Sequence, residues 1–321
     1  MSQTRFRYVY GPVASRRLGR SLGIDLVPFK TCTYDCVYCQ LGRTTNKTTV
    51  RKEYVAVGDV LEELERKLAV EPAPDFISLA GSGEPTLNAR IGDLIGKIKS
   101  LTDIPVAVLT NGSLLWVSEV QDALMGADVV LPSLDAGDDR LFRYVNRPHR
   151  EIAFDRMVDG IAEFTKRFQG EIWLEVFLLG GVTGIPAEVE KIAALIRRIQ
   201  PTRVQLNTVS RPPAEEFAFA VVRDQMERFR GLLPGTVEVT SGSGWGESPP
   251  SSARQATDAD VLSLLSRRPC TAQDVAEGLD IHVTEALKHL EVLIARGKVN
   301  TVLTGGRHFY TRKGSEEASR L

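Results

Sequence analysis

Cys32-Thr33-Tyr34-Asp35-Cys36-Val37-Tyr38-Cys39 holds three of the chain's four cysteines, separated by three residues and then by two. A loop this short folds back within one or two turns. It can therefore bring three thiolates to one corner of a cuboidal iron–sulfur cluster. Three ligands leave one iron of a [4Fe–4S] cluster without protein sulfur and open to an outside ligand. Two plainer readings compete, a structural zinc site and three reduced buried thiols. Structural zinc takes four closed nitrogen or sulfur ligands, and no second Cys or His pair lies nearby to complete them. The spacing favours the cluster, with Cys32, Cys36 and Cys39 as ligands.

Outward from this loop the chain alternates between two kinds of segment. Leu22-Gly23-Ile24-Asp25-Leu26-Val27-Pro28 is an apolar run ending in Pro, expected as the first strand. Further strands are expected at Phe76–Ala80, Val106–Leu109, Asp128–Leu134, Ile172–Leu179 and Arg203–Thr208. Helical spacing of apolar residues marks Val60–Leu68, Ile91–Leu101, Val117–Met125, Ile152–Phe168 and Ala187–Ile199 between them. Each strand is a near-continuous apolar run, as in parallel strands covered on both faces. The expected fold is α/β, with six strands alternating with helices.

Polar residues collect where these strands end. The second strand runs into Gly81-Ser82-Gly83-Glu84-Pro85-Thr86, the third into Thr110-Asn111-Gly112, the fourth into Ser133-Leu134-Asp135. Glycines let backbone approach a ligand closely, and a carboxylate accepts hydrogen bonds from an ammonium group. Ser133 and Asp135 share one side of their strand, although both could instead cap the following helix. Glu175 interrupts an apolar run and must face the interior of the sheet, a partner or solvent. Gln205 and Asn207 share a face of the sixth strand, and Arg211 follows it as a candidate clamp for an anionic substrate group.

The Cys trio with aromatic Tyr38 before its last member, followed one strand later by Gly-Ser-Gly-Glu-Pro, resembles the signature of the radical S-adenosylmethionine (SAM) superfamily. That resemblance implies a partial (β/α)6 TIM-like barrel with its chemistry at the C-terminal ends of the strands. It implies that the open iron binds the amino and carboxylate groups of SAM. One electron then splits SAM into methionine and a 5′-deoxyadenosyl radical that abstracts hydrogen from substrate. An electron donor such as flavodoxin or ferredoxin is implied as a partner. By the same resemblance Gly81, Ser82, Gly83 and Glu84 bind the methionyl amino group. Thr110, Asn111, Ser133, Asp135 and Glu175 are the further cofactor-side candidates, and Tyr38 packs near adenine, its plainer role being a core aromatic.

Upstream, Gly11-Pro12-Val13-Ala14-Ser15-Arg16-Arg17-Leu18-Gly19-Arg20, together with Gln40-Leu41-Gly42-Arg43 after the trio, resembles enzymes related to 4-demethylwyosine synthase, which remodel a guanosine in tRNA. Those enzymes carry further cysteines for a second cluster. This chain has no second trio, so a pyruvate condensation of that type is not expected.

Overall charge is nearly balanced, 40 basic against 41 acidic residues, so no bulk attraction to polyanions or membranes follows. Up to Lys52, however, ten basic residues face only Asp25 and Asp35. Such a skew beside a catalytic loop suggests an anionic partner and makes Arg16, Arg17, Arg20 and Arg43 substrate candidates. A solvated basic face is the alternative. No apolar run is long enough for a membrane span or a secretory signal, and the clustered cysteines do not form a disulfide framework; a cytoplasmic, reduced setting is expected.

Residues 1–240 are expected as the barrel with its basic extension, and 241–256, rich in Gly, Ser and Pro, as a linker. Residues 257–314 are expected as a winged helix-turn-helix and 315–321 as a tail. Helices at Asp258–Leu265, Ala272–Glu277 and Val283–Arg296 precede a hairpin, Val299–Thr304 and Arg307–Arg312, turned by Gly305-Gly306. His282, Thr284, Lys288 and His289 on the third helix and Arg307, His308 and Arg312 on the wing could contact nucleic acid. Glu285 and Glu291 dilute that charge, so peptide or protein docking stands beside it. Cys270 with His282, His289 and His308 lacks ligand-pair spacing for a metal. The leading expectation is a radical SAM enzyme acting on a macromolecule, tRNA or another RNA first and a peptide or protein second. An iron–sulfur redox regulator that binds DNA is the competing class.

Overall fold

A computed structural model describes residues 6–15, 17–70, 73–240 and 256–313. The chain opens with a hairpin, β1 (Val9–Ser15) and β2 (Gly19–Ile24). A two-residue parallel pair, β3 (Thr31–Cys32) and β4 (Asn46–Lys47), then closes the base of the cysteine loop. The alternating body follows: α1 (Val57–Val70), β5 (Phe76–Leu79), α2 (Ile91–Leu101), β6 (Val106–Thr110), α3 (Ser118–Leu124) and β7 (Val129–Pro132). It continues with α4 (Asp139–Val145), α5 (Phe154–Arg167), β8 (Glu171–Leu178), α6 (Pro186–Ile199), β9 (Arg203–Thr208), α7 (Arg223–Arg230) and β10 (Val237–Val239).

The sheet has eight strands in the order β1-β2-β5-β6-β7-β8-β9-β10, and every pairing after β1–β2 is parallel. All six expected strands are present, each followed by a helix, which makes the fold the expected six-unit (β/α) architecture. The two strands not anticipated lie at its edges. β1 carries Gly11 and Pro12 in its interior, residues poor at sustaining a strand, and β10 is only three half-buried residues long. Helices α4 and α7 were also missed. α7 holds five charged residues among eight and buries only Met226 and Phe229, too few to show helical spacing.

Alternation along the strands sorts the core into two faces. Leu22, Ile24, Ile77, Val108, Val130, Leu174 and Leu206 pack outward against the helices. α5 answers with Phe154, Met157, Val158, Ile161 and Phe164 at helical spacing. Burying each such side chain contributes about 1.5–3 kcal/mol. The inner face carries Phe76, Ala107, Leu109, Val129, Leu131 and Trp173, and Leu18, from the turn between β1 and β2, packs into that cluster. The hairpin turn thus plugs the N-terminal end of the barrel with an apolar side chain, leaving the polar set at the other end.

After the segment expected as a linker, most of which lies outside the described residues, come α8 (Asp258–Leu265), α9 (Ala272–Leu279), α10 (Val283–Ala295) and the hairpin β11 (Val299–Thr304) and β12 (Arg307–Arg312). The expected tail, 315–321, also lies outside them. Capping boxes start α8 (Thr257 with Asp260) and α9 (Thr271 with Asp274), and Asp280 ends α9 in the left-handed conformation. These elements have their own core, centred on Val261, Val275, Ala286 and Leu290. They pack on the barrel's free edge, α9 lying against β1.

Two arginines fasten that contact. Arg211, from the loop after β9, makes two 2.9 Å bonds to the Asp274 carboxylate and a 2.6 Å bond to the Pro269 carbonyl. It was expected to clamp substrate; its guanidinium is instead spent holding α9. Arg267 pairs with Asp25, donates to Ser82 Oγ at 3.2 Å and to the Arg7 carbonyl at 3.0 Å, and lies 4.8 Å over the Tyr10 ring.

Candidate functional site

The cysteine loop leaves the C-terminal end of β2, and the described polar side chains converge on it. Each sulfur has its own donor. Asn111 Nδ2 approaches Cys32 Sγ at 3.6 Å, Asn146 Nδ2 approaches Cys36 Sγ at 3.4 Å, and Lys30 Nζ approaches Cys39 Sγ at 3.2 Å. Burial, with Glu84 nearby, pushes the Cys32 thiol up to about 12, and burial with Asp135 nearby pushes Cys36 well up too. These sulfurs ionise when a cation replaces their protons, and the surrounding N–H donors then stabilise the anionic sulfur. The donor set therefore fits a cluster held by three thiolates. Among the described residues no three His, Cys, Asp or Glu side chains converge on a single metal ion. A cuboidal cluster spreads its ligands over separate irons and needs no such convergence.

The second strand's turn sits directly beside the loop. Glu84 is 2% exposed, and its Oε1 accepts from Thr86 N (3.1 Å), Thr86 Oγ1 (2.6 Å) and Thr110 Oγ1 (2.7 Å), while Oε2 accepts from Asn111 N (2.8 Å). Burial raises its pKa, and these donors oppose the rise. Oε2 has one described partner, which leaves it lone-pair capacity for an ammonium group. Gly81 has φ +123° and Asp25 Oδ1 lies where its Cβ would stand; at Gly83 the Thr31 carbonyl occupies that place. Both glycines are therefore required by close approach, and Ser82 N–H donates to Asp25 Oδ1 at 2.6 Å.

Asp135 holds the loop in place. Its carboxylate accepts from Tyr38 Oη, Asn146 Nδ2 (2.6 Å) and Phe177 N (3.3 Å), and burial, opposed by those donors, raises its pKa to about 6. Tyr38 stacks on Phe177 with centroids 3.9 Å apart and planes at 13°. Asp135 and Tyr38 thus have protein partners where ribose and adenine were expected. The cap alternative also fails: Asp138, not Ser133 or Asp135, caps α4.

On the inner face, Ser133 pairs as a bridge with Glu175, and Glu175 meets Arg17 Nη1 at 2.7 Å and Asn207 Nδ2 at 3.1 Å. Gln205, the cross-strand neighbour of Glu175, is 1% exposed and its Oε1 has no hydrogen-bond partner. The structure thus brings the substrate candidates Gln205, Asn207 and Arg17 together with Glu175, the expected cofactor-side candidate, on the inner face. Arg20 does not join them. It stands at the N-terminal end of β2, opposite the cysteine loop. Arg43 pairs with Glu215 at 2.7 Å, shared with Arg147, and Arg16 lies outside the described residues. The imagined Cys270–histidine metal set is not assembled: His282 Nδ1 caps α10 and His289 pairs with Asp258 at 2.8 Å.

Sequence reasoning missed Asp25, Lys30, Asn146 and Arg267. Asp25 carried a legible signal, a lone carboxylate in an apolar run, the argument already applied to Glu175. Asn146 follows the unrecognised helix α4, and nothing local marks Lys30 or Arg267.

Comparison with known proteins agrees with this geometry. A model of the radical SAM superfamily matches residues 26–197. A GTPase Obg of Brachyspira hyodysenteriae is 39% identical over 309 residues, which cover 95% of this chain but only 45% of that protein. A UPF0026 protein of Helicobacter pylori is 33% identical over 315 residues, covering 94% of this chain and 96% of its own length. A crystal structure of a radical SAM methyltransferase from Sphaerobacter thermophilus matches with a TM-score of 0.54 at 18% identity, over 69% of this chain and 67% of that one, a likeness of fold. No helix among the described residues is long and apolar enough to cross a membrane. The family match spans more than half of the chain and contains both the cysteine loop and the Glu84 turn, so this chain belongs to the radical SAM superfamily and is an enzyme whose cofactors are a [4Fe–4S] cluster and S-adenosylmethionine.

Proposed function

We propose that this radical SAM enzyme modifies a macromolecule, RNA and tRNA first, presented by a C-terminal winged helix-turn-helix domain. Cluster and SAM together supply a carbon radical able to take hydrogen from an unactivated C–H bond. The chain's own residues do the rest. Cys32, Cys36 and Cys39 hold the irons, and Lys30, Asn111 and Asn146 donate to their sulfurs. Glu84 offers an oriented carboxylate to the methionyl ammonium. Asp135 and Tyr38 fix the loop, and Glu175, Asn207 and Gln205 present polar groups across the interior to the substrate.

The observation that supports the macromolecular reading is the contact of Arg267 with Ser82 and Asp25. It joins the C-terminal elements to the turn that would bind SAM, so a polymer held by those elements lies beside the reacting centre. The basic bias before Lys52 favours a phosphate backbone over a peptide. The wyosine-like segment at Gly11–Arg20 points the same way, with an electron donor such as flavodoxin or ferredoxin supplying the reducing equivalent in a cytoplasmic setting.

Two measurements test this. Anaerobically reconstituted protein reduced with dithionite should release 5′-deoxyadenosine from SAM, and Cys36→Ala should abolish that release. Crosslinking in cells followed by sequencing should enrich one RNA class; peptides crosslinked in place of RNA would move the substrate to the protein class.

A further inference from the structure

The basic N-terminal segment and the basic hairpin, far apart in sequence, meet in one place. Between β1's approach and β12 lies a cleft of about 570 Å³, a size that holds small ligands. Among the described residues four cationic side chains line it, Arg7, Arg267, Arg312 and Lys313, against one carboxylate, Asp25. Arg267 pairs with that carboxylate directly, and among the described lining residues cations outnumber carboxylates. Its other wall is aromatic, formed by Tyr8, Phe29 and Tyr54. The Arg7 guanidinium lies 5.2 Å over the Tyr8 ring and Lys52 Nζ 4.9 Å over Tyr54.

Phosphate is the anion that such a group of guanidinium and ammonium donors recognises, and a half-buried ring wall accepts the face or edge of a base. SAM does not suit this cleft, because its sulfonium would meet like charge. We propose that the cleft is a second binding site, for a nucleotide, with its phosphate held by Arg7, Arg312 and Lys313 and its base against Tyr8, Phe29 or Tyr54. Ser82 also lines the cleft, so the bound nucleotide sits on the back of the SAM-binding turn. The nucleotide can come as a free monophosphate or as a residue of an RNA strand. The chemistry recognised is the same.

The full-length, cluster-loaded protein is titrated calorimetrically under anaerobic conditions with AMP, GMP, inorganic phosphate and a short 5′-phosphorylated RNA. The nucleotides should bind, and Arg312→Ala and Lys313→Ala should each weaken them roughly tenfold, the loss of one charge-assisted contact. Tyr54→Ala should weaken the nucleotides while leaving phosphate unchanged. SAM affinity should stay as it is in Lys313→Ala, and Lys313→Glu, also at an exposed position, serves as a second variant. Tighter binding of the RNA than of AMP or GMP assigns the site to a strand; the reverse assigns it to a free nucleotide. Absence of nucleotide binding below about 1 mM, indifference to these variants, or phosphate binding as tightly as a nucleotide overturns the proposal. Failure of the cellular RNA crosslinking with nucleotide binding intact would refute the polymer substrate alone, so the two ideas fail separately.

Discussion

Replacing Arg211 by Met separates a latch from a substrate clamp. In the structure Arg211 and Asp274 are 11% and 19% exposed and share two 2.9 Å bonds across the interface. Removing one partner of a buried pair typically costs about 3–5 kcal/mol, because the other charge stays behind. Asp274 would keep its bonds from Thr271 N (2.8 Å) and Thr271 Oγ1 (2.9 Å), which places the loss near the lower end, about 3 kcal/mol. If that energy resists opening of the interface, amide exchange in α9 and β1 should accelerate roughly a hundredfold in the full-length protein. The effect has a pH signature. Burial alone would raise the Asp274 carboxyl, but Arg211 and the Thr271 amide outweigh it and hold it well below the usual carboxylate range. A depressed acid contributes stability that is fully present above its unfolded value, near 3.9, and is lost as pH falls toward the folded value. Wild-type exchange in α9 should therefore approach that of the variant below about pH 4. Unchanged exchange in Arg211→Met, accompanied by a raised KM for substrate, would refute the latch and restore the clamp.

Three further outcomes follow from the site. Glu84→Gln keeps the shape of the turn but removes the anion, and should weaken SAM binding about ten- to a hundredfold in equilibrium titration; unchanged affinity would mean the carboxylate only caps its own turn. Asn146→Ala strips a donor from both Cys36 and Asp135, and iron should leave to a chelator at about ten- to a hundredfold lower chelator concentration. Arg267→Met leaves Asp25 buried without its cation, and should raise the KM for SAM more than it lowers kcat, with Arg267→Lys recovering part of the loss; equal effects on both constants would show that the arginine does not act through the Ser82 turn.

The close spacing of the cysteines, the Glu84 turn and the alternation of strands and helices were legible because each is a local signal. Cys32, Cys36 and Cys39 lie within eight residues, so their spacing alone limits the geometry they can reach. Strand and helix periodicity needs only neighbouring residues, and the six inner strands were strongly apolar. β1 and α7 escaped because Gly11, Pro12 and a run of charges mask the period.

Partners across the fold could not be read in this way. Arg211 looked available to an anion until α9 brought Asp274 to it, 63 positions away in sequence, and Asp135 looked available to ribose until Tyr38 and Asn146 closed on it. A side chain's chemistry is written in the sequence, but whether its hydrogen-bonding capacity is already consumed depends on what packing places within about 3 Å. The primary structure by itself determined that three cysteines share one short loop and that a carboxylate follows one strand later, because both are local in sequence. Only the tertiary structure decided which charges hold two sets of elements together and which surround an open cleft, because those pairings are set by long-range burial, where an unpaired charge is too costly to leave alone.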